Sequence, residues 1–301
     1  MKLSGCGTAL VTPFRADGAV DKAALTRLVE WQIESGIDFL VPCGSTGEAS
    51  TLTEAETLRV AEIVCATAAG RVPVFAGCTH NATAEAVARA KKLAQVPGLT
   101  GILTANPYYN RPSQEGQYQH FRAIAEAVPL PVLLYNIPSR TAVNLEPATV
   151  LRLAEIENIV GIKESSGNIA QITEIITQAP RSFAVLAGDD GLALPVVALG
   201  GVGLVSVASN AIPTQMAKLV RAALTGDWTT ARALNAQHLK LMQGHFLEPN
   251  PAPVKAVMAM LGLIEDKLRL PLLPVTAPTR KKLEAMLAEL GLLVPVPVNA
   301  R

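Results

Sequence analysis

Lys163 and Tyr135 are the residues whose types and placing can do chemistry together. Lys163 closes the apolar run at 159–162, and residues 164–168 follow as a turn and helix cap. A continuous apolar run closed by turn residues marks a strand buried on both faces. Burial disfavours the ammonium form of a lysine, and the neutral amine is the nucleophile that forms Schiff bases with carbonyl compounds. Taken alone, a plainer reading stands ahead, a strand-end lysine whose ammonium reaches solvent or a carboxylate. Tyr135 ends the preceding strand. Sequential parallel strands lie about 4.8 Å apart, so a phenol there reaches the lysine nitrogen and can shuttle protons through carbinolamine formation and dehydration. A core tyrosine with its hydroxyl bonded to backbone is the alternative.

Two further stretches offer complementary groups. In Gly44-Ser45-Thr46-Gly47-Glu48 the hydroxyls and backbone amides can hold a carboxylate or relay a proton, or serve only as turn and cap. Arg140 follows Tyr135 on the same loop, placed to fork onto a substrate carboxylate or to make a surface salt bridge.

The elements that must carry these groups alternate. Short apolar runs near 7–14, 37–41, 72–76, 101–104, 131–135, 159–163, 183–187 and 204–208 are each followed by a helical pattern. Asp21 reads as one helix cap, and Thr53 with Glu56 as a capping box. Eight strand–helix units in about 225 residues predict a (β/α)8 TIM barrel, α/β in class, with the active site at the carboxyl ends of its strands. A doubly wound sheet is the alternative, and no GxGxxG follows the first strand to favour it. Residues 227–247, 253–263 and 278–290 read as helices without strands between them. The chain therefore divides into a barrel catalytic domain at 1–226 and a C-terminal helical extension at 227–301, which either packs on the barrel or builds a subunit interface. The tail at 294–298 is expected to be loosely ordered.

Composition narrows the function. Of 301 residues, 50% are hydrophobic and 17% charged, which describes a well-cored globular chain. The formal charge of +1 leaves no electrostatic footprint for nucleic acid or anionic lipid. The four cysteines form no CxxC pair and read as buried thiols suited to a reducing cytosol. The N-terminus lacks a signal-peptide core, and the longest apolar stretch, 192–208, is broken by Pro195, Gly200, Gly201 and Gly203. A soluble, cytoplasmic enzyme is expected. Among the strand ends His80 is the one histidine, and no carboxylate–histidine cluster accompanies it, so neither a metal nor another cofactor is expected. One amine, several hydroxyls and one guanidinium suit covalent chemistry on a small oxo acid.

With GSTGE (44–48), PYYNRPSQEG (107–116), YNIPSRTA (135–142), GIKESSGN (161–168) and AGDD (187–190) in this order, the chain resembles the dihydrodipicolinate synthase/N-acetylneuraminate lyase family of Schiff-base aldolases over essentially its full length. The resemblance implies that Lys163 forms a Schiff base with pyruvate. It implies that Tyr135, Thr46 and a tyrosine from a neighbouring subunit, matched by Tyr109, relay protons, and that Ser45, Thr46, Arg140 and Val205 bind substrate. The crossing tyrosine implies at least a dimer, and the family is usually a homotetramer, a dimer of dimers. PSRT at 138–141 resembles the synthase branch, whose arginine meets L-aspartate 4-semialdehyde. The implied reaction is its condensation with pyruvate to 4-hydroxy-tetrahydrodipicolinate, in the diaminopimelate route to lysine. A different aldolase or dehydratase acting on a sugar acid, or a non-catalytic binding barrel, are the alternatives. Two departures stand out. Ser45 replaces a threonine, keeping the hydroxyl. Asn81, Glu85 and Tyr108 match the family's lysine-binding regulatory site, but two positions often histidine in lysine-sensitive members are Glu54 and Thr57, which implies weak or absent lysine inhibition.

Overall fold

The apolar runs become eight parallel strands, β1 Gly5–Ala9, β2 Phe39–Val41, β3 Phe75–Gly77, β4 Gly101–Ala105, β5 Val132–Asn136, β6 Ile159–Glu164, β7 Ala184–Ala187 and β8 Gly203–Ser206. In the computed structural model, which describes residues 3–293, they pair in the order β2-β1-β8-β7-β6-β5-β4-β3. A bridge between Leu40 and Val74, with Leu40 N–H donating to Pro73 O at 2.9 Å and Gly77 N–H to Pro42 O at 2.9 Å, joins the two ends of the sheet. The expected (β/α)8 barrel is present. The tail at 294–298 lies outside the described residues.

Alternation along each strand explains the continuous apolar runs. Phe39, Val41, Leu103, Leu133, Tyr135, Leu186 and Val205 fill the barrel, while Leu40, Ile102, Val132 and Leu134 pack outward against helices. Both faces are dry, so polar positions inside the strands are few, Thr8 of β1 and Thr104 of β4 being buried among them. Gly7 has a packing role here. A Cβ at that position would stand 2.1 Å from the Phe39 ring, which occupies the space across β1.

Between the strands run α1 Lys22–Glu34, α2 Glu54–Ala68, α3 Thr83–Leu93, α4 Gln114–Ala127, α5 Pro138–Thr141, α6 Pro147–Leu153, α7 Ile169–Gln178, α8 Ala193–Ala198 and α9 Pro213–Leu224. The two predicted caps are formed, since Asp21 accepts from Ala24 N–H at 2.9 Å and Thr53 and Glu56 cap α2 reciprocally. Two local expectations shift. β3 starts at Phe75 rather than 72 because Pro73 has no N–H for the ladder. The loop expected after Tyr135 contains the short α5, with Pro138 in its first turn, where a fixed φ and a missing N–H cost nothing. The 192–208 stretch divides between α8 and β8, and no described helix is long and apolar enough to cross a membrane.

Past Gly226 come α10 Trp228–Gly244, α11 Ala252–Met260 and α12 Ala277–Glu289. These helices pack on the barrel. α10 lies against α9, and Leu241, Met242, Val254, Val257, Leu283 and Leu287 join the core that coats the strands. Arg269, between α11 and α12, fastens this region to α2. It donates to Glu56 at 2.5 and 2.8 Å and to the carbonyls of Thr51 at 2.8 Å and Gly18 at 2.8 and 3.0 Å.

The Arg269 guanidinium, aided by the Thr53 N–H and hydroxyl, pulls the Glu56 carboxyl down to about 2. A carboxyl depressed in the folded state stabilises the fold above its unfolded value, and that contribution is lost as pH falls towards the folded one. Arg269→Ala should therefore lower the urea midpoint at about pH 6, and the gap to wild type should narrow between about pH 5 and pH 3. A gap that stays constant over that window would contradict the clamp.

Candidate active site

Tyr135 and Lys163 are register partners on β5 and β6, both pointing into the barrel mouth. They are 4% and 5% exposed, so the lysine does not reach solvent. Among the described residues no carboxylate lies within 4.0 Å of its nitrogen. The plainer reading of Lys163, solvent or an ion pair, therefore fails on both counts. Its nitrogen instead stands 4.2 Å from the centroid of the Tyr135 ring, over the ring face. Pairing of the strands does bring the two residues together, with the ring face rather than the hydroxyl nearest the amine.

Room for the lysine comes from the next strand. A Cβ on Gly188, just past β7, would lie 3.0 Å from both Cγ and Cε of Lys163 and 1.9 Å from Ser165 Oγ. A side chain there would strike Ser165 Oγ first and would crowd the lysine stem, which would have to give by a few tenths of an ångström. Ser165 Oγ is buried beside it with no hydrogen-bond partner.

The turn at 44–48 is held tightly. Glu48 N–H donates to Ser45 O at 3.2 Å, Thr12 Oγ1 donates to Gly47 O at 2.7 Å, and Glu48 itself has φ 54°. Ser45 is half-buried and Thr46 buried. Thr46 Oγ1 accepts from Asn250 Nδ2 at 3.0 Å, which leaves its own proton for another acceptor. Glu48, the last residue of the turn, is turned away from the site. It is 2% exposed and forms a buried ion pair with Lys255 of α11.

Arg140 is exposed on α5 and meets no carboxylate among the described residues, so the surface salt bridge is absent. Its Nη2 donates to the carbonyl of Asn250 at 2.9 Å. Asn250, in the loop between α10 and α11, thus touches both Thr46 and Arg140. Val205 lies in the apolar cluster inside the barrel with Tyr135.

The remaining predicted groups lie elsewhere or serve the frame. Tyr109 has φ 73° and is 88% exposed on the loop after β4, without a hydrogen bond or ring contact among the described residues. Tyr108 meets the His80 ring edge-on at 6.5 Å, Asn81 O accepts from Asn110 Nδ2 at 2.9 Å, and Glu85 is exposed in the first turn of α3. A small cavity nearby is lined by Ala49, Glu54, Thr57, Thr79, Arg89 and Lys92, and Glu54 pairs with Lys92 at 2.6 Å. Asn81, Glu85 and Tyr108 do not line it.

At the end of β8, Asp190 accepts from Ser206 Oγ and from the N–H groups of Val207 and Ala208 at 2.5, 3.1 and 2.9 Å. Burial outweighs these donors and pushes its carboxyl up to about 6. Asn210 bonds Ala9 O and Val11 N–H across to β1. The cysteines are free and buried, and burial pushes the Cys43 and Cys78 thiols up to about 12.

Sequence reasoning missed Asn250, Lys255, Arg269 and Gly188. A signal for Lys255 was present, because it is the one charged residue in the otherwise apolar stretch Ala252–Met260. No comparable signal marked the others.

The fold and site define a (β/α)8 barrel with a desolvated lysine at its mouth. A sequence model of the Dihydrodipicolinate synthetase family matches residues 2–290. The 4-hydroxy-tetrahydrodipicolinate synthase of Acidobacterium capsulatum is 61% identical over the full length of both chains, and that of Koribacter versatilis is 59% identical over 97% of this chain and 98% of its own. Among solved structures, dihydrodipicolinate synthase from Aquifex aeolicus superposes with a TM-score of 0.94 at 43% identity, covering 97% of this chain and 100% of that one. The pyruvate complex of the Acinetobacter baumannii dihydrodipicolinate synthase superposes with a TM-score of 0.95 at 41% identity, with the same coverage. The chain belongs to the dihydrodipicolinate synthetase family.

The close approach at Gly188 can be tested directly. Gly188→Ala should push Ser165 Oγ aside and shift the Lys163 stem by a few tenths of an ångström, a fraction of the about 1 Å error that costs on the order of 100-fold at a reacting group. Capture of Lys163 by a small carbonyl compound and borohydride should slow by roughly 3- to 10-fold, with the circular dichroism spectrum retained. An unchanged capture rate would refute the steric role.

Proposed function

We propose that the protein condenses pyruvate with L-aspartate 4-semialdehyde to 4-hydroxy-tetrahydrodipicolinate, for lysine synthesis through diaminopimelate, with Lys163 as the Schiff-base residue. The observation that carries this reading is a buried lysine without a carboxylate partner, set against Tyr135 at the mouth of the barrel. Membership of the family and the names of its relatives support it.

The chemistry follows from the groups in place. The Lys163 amine adds to the pyruvate carbonyl carbon, and the carbinolamine loses water to become an imine. Loss of a methyl proton gives an enamine, whose carbon attacks the aldehyde and forms the new carbon–carbon bond. The amino group of the second substrate then displaces Lys163 from the imine carbon, closing the ring. One water leaves overall. Tyr135 and Thr46 carry the protons, with Tyr109 reaching in from a second copy of the chain, and Ser45 and Thr46 hold the pyruvate carboxylate beside Val205. Arg140 meets the carboxylate of the aldehyde substrate. A fully exposed Tyr109 suits a residue whose site lies in a neighbouring subunit, so the working form is at least a dimer and, by the family's habit, a cytoplasmic homotetramer.

Borohydride reduction with pyruvate, read by mass spectrometry, should place a pyruvyl adduct on Lys163; absence of the adduct there overturns the proposal. Turnover should occur with aspartate semialdehyde and not with sialic acid or keto-deoxy sugar acids. Arg140→Ala should raise KM for the aldehyde by about 10-fold or more while leaving KM for pyruvate within about 2-fold; equal effects on both would contradict its role.

Regulation follows from the same region. Thr57 and the Glu54–Lys92 ion pair stand at the cavity where lysine-sensitive relatives often carry histidines. Turnover should be unchanged when free L-lysine is titrated to about millimolar concentration, and inhibition at micromolar lysine would show that the two histidines are dispensable.

A further inference from the structure

Lys255 and Glu48 form the most deeply buried charge pair described, with both side chains 0% exposed. Each end is over-determined. The Lys255 ammonium also donates to Lys267 O at 3.0 Å and stands 4.2 Å above the Phe14 ring. The second oxygen of Glu48 accepts the Arg269 backbone N–H at 3.1 Å. Lys255 also sits in the first turn of α11, where the helix dipole disfavours a cation. Burial pulls its ammonium below the ordinary lysine value, and Glu48 opposes that pull.

Stability alone does not account for such a pair. Well-packed apolar side chains of similar volume commonly serve a fold as well as a buried ion pair, or better. What an ion pair adds is a fixed direction and distance between two segments. The segment fixed here is the turn at 44–48. Glu48 N–H is bonded to Ser45 O at 3.2 Å and Ala49 N–H to Gly44 O at 3.3 Å, so a displacement of Glu48 passes into the backbone that carries Ser45 and Thr46.

We propose that Lys255 is a positioning residue, reaching from the C-terminal helices to hold Glu48 and so to set Ser45 and Thr46 against the Lys163 site. The inference rests on the reaction proposed above and assigns the C-terminal region a part in it. Lys255 itself touches no reacting atom.

The test compares wild type with Lys255→Met and with the double variant Glu48→Gln/Lys255→Met. The single variant leaves Glu48 buried without its partner and should lower both the thermal midpoint and kcat. The double variant removes both charges, so its thermal midpoint should recover towards wild type. Its kcat should nonetheless stay about 10-fold or more below wild type, and KM for pyruvate should rise as well, because the link that sets the turn carrying Ser45 and Thr46 is still missing. A purely structural role makes the opposite forecast, with kcat recovering alongside stability in the double variant, and that result would overturn the proposal. Should Lys255→Met fail to fold, the double variant decides alone. Wild type provides the control for the reaction itself. A wild type without a pyruvyl adduct brings down the reaction and this inference together. A trapped wild type beside a fully active double variant brings down the positioning role only.

Discussion

An amine held out of water without a counter-ion is the constraint on which the site depends. Lys163 sits in the mouth of the barrel over the ring of Tyr135, 5% exposed and with no carboxylate within 4.0 Å among the described residues. Such a placement is costly in isolation, since buried lysines are normally paired or used. The surroundings are arranged to permit it. Parallel pairing of β5 with β6 sets Tyr135 level with Lys163, Gly188 leaves room for Ser165 Oγ and keeps the lysine stem uncrowded, and the apolar filling of the barrel below excludes water.

Polar groups around this mouth divide by task rather than by position. Several strand-end residues that look chemical serve the frame. Asp190 binds the start of the turn after β8, Asn210 ties that turn to β1, and Glu164, next to Lys163, is wholly engaged by Asn136, Ser166 and Gln171. The two carboxylates are buried acceptors met by nearby donors, and the Asn210 amide both donates and accepts, which is the usual fate of a buried polar group. Lys163, the Ser165 hydroxyl and the Thr46 hydroxyl proton remain available.

The C-terminal region meets the rim of the barrel through three residues, Asn250 before α11, Lys255 within it and Arg269 after it. Asn250 joins Thr46 to Arg140, Lys255 grips Glu48, and Arg269 secures both Glu48 and the cap of α2. The two regions therefore share one polar seam as well as one apolar core. The motif glutamate at position 48 is explained by that seam rather than by contact with a ligand.

Much of the architecture was legible in the chain alone, because it rests on local regularities. Eight apolar runs alternating with 3.6-period stretches imply a parallel barrel, the helix caps at Asp21 and Thr53 are short-range hydrogen bonds, and Lys163 with Tyr135 at successive strand ends implies proximity by strand pairing. What spans more than two hundred residues was not legible. The links from Asn250 to Thr46, from Lys255 to Glu48 and from Arg269 to Glu48 leave no periodicity and join side chains whose meeting depends on how α10 to α12 fold back over the barrel. Gly188 is the sharpest case. In the sequence it is one letter of the AGDD stretch, and only the packed strands show that a side chain there would strike Ser165 Oγ and crowd the stem of Lys163.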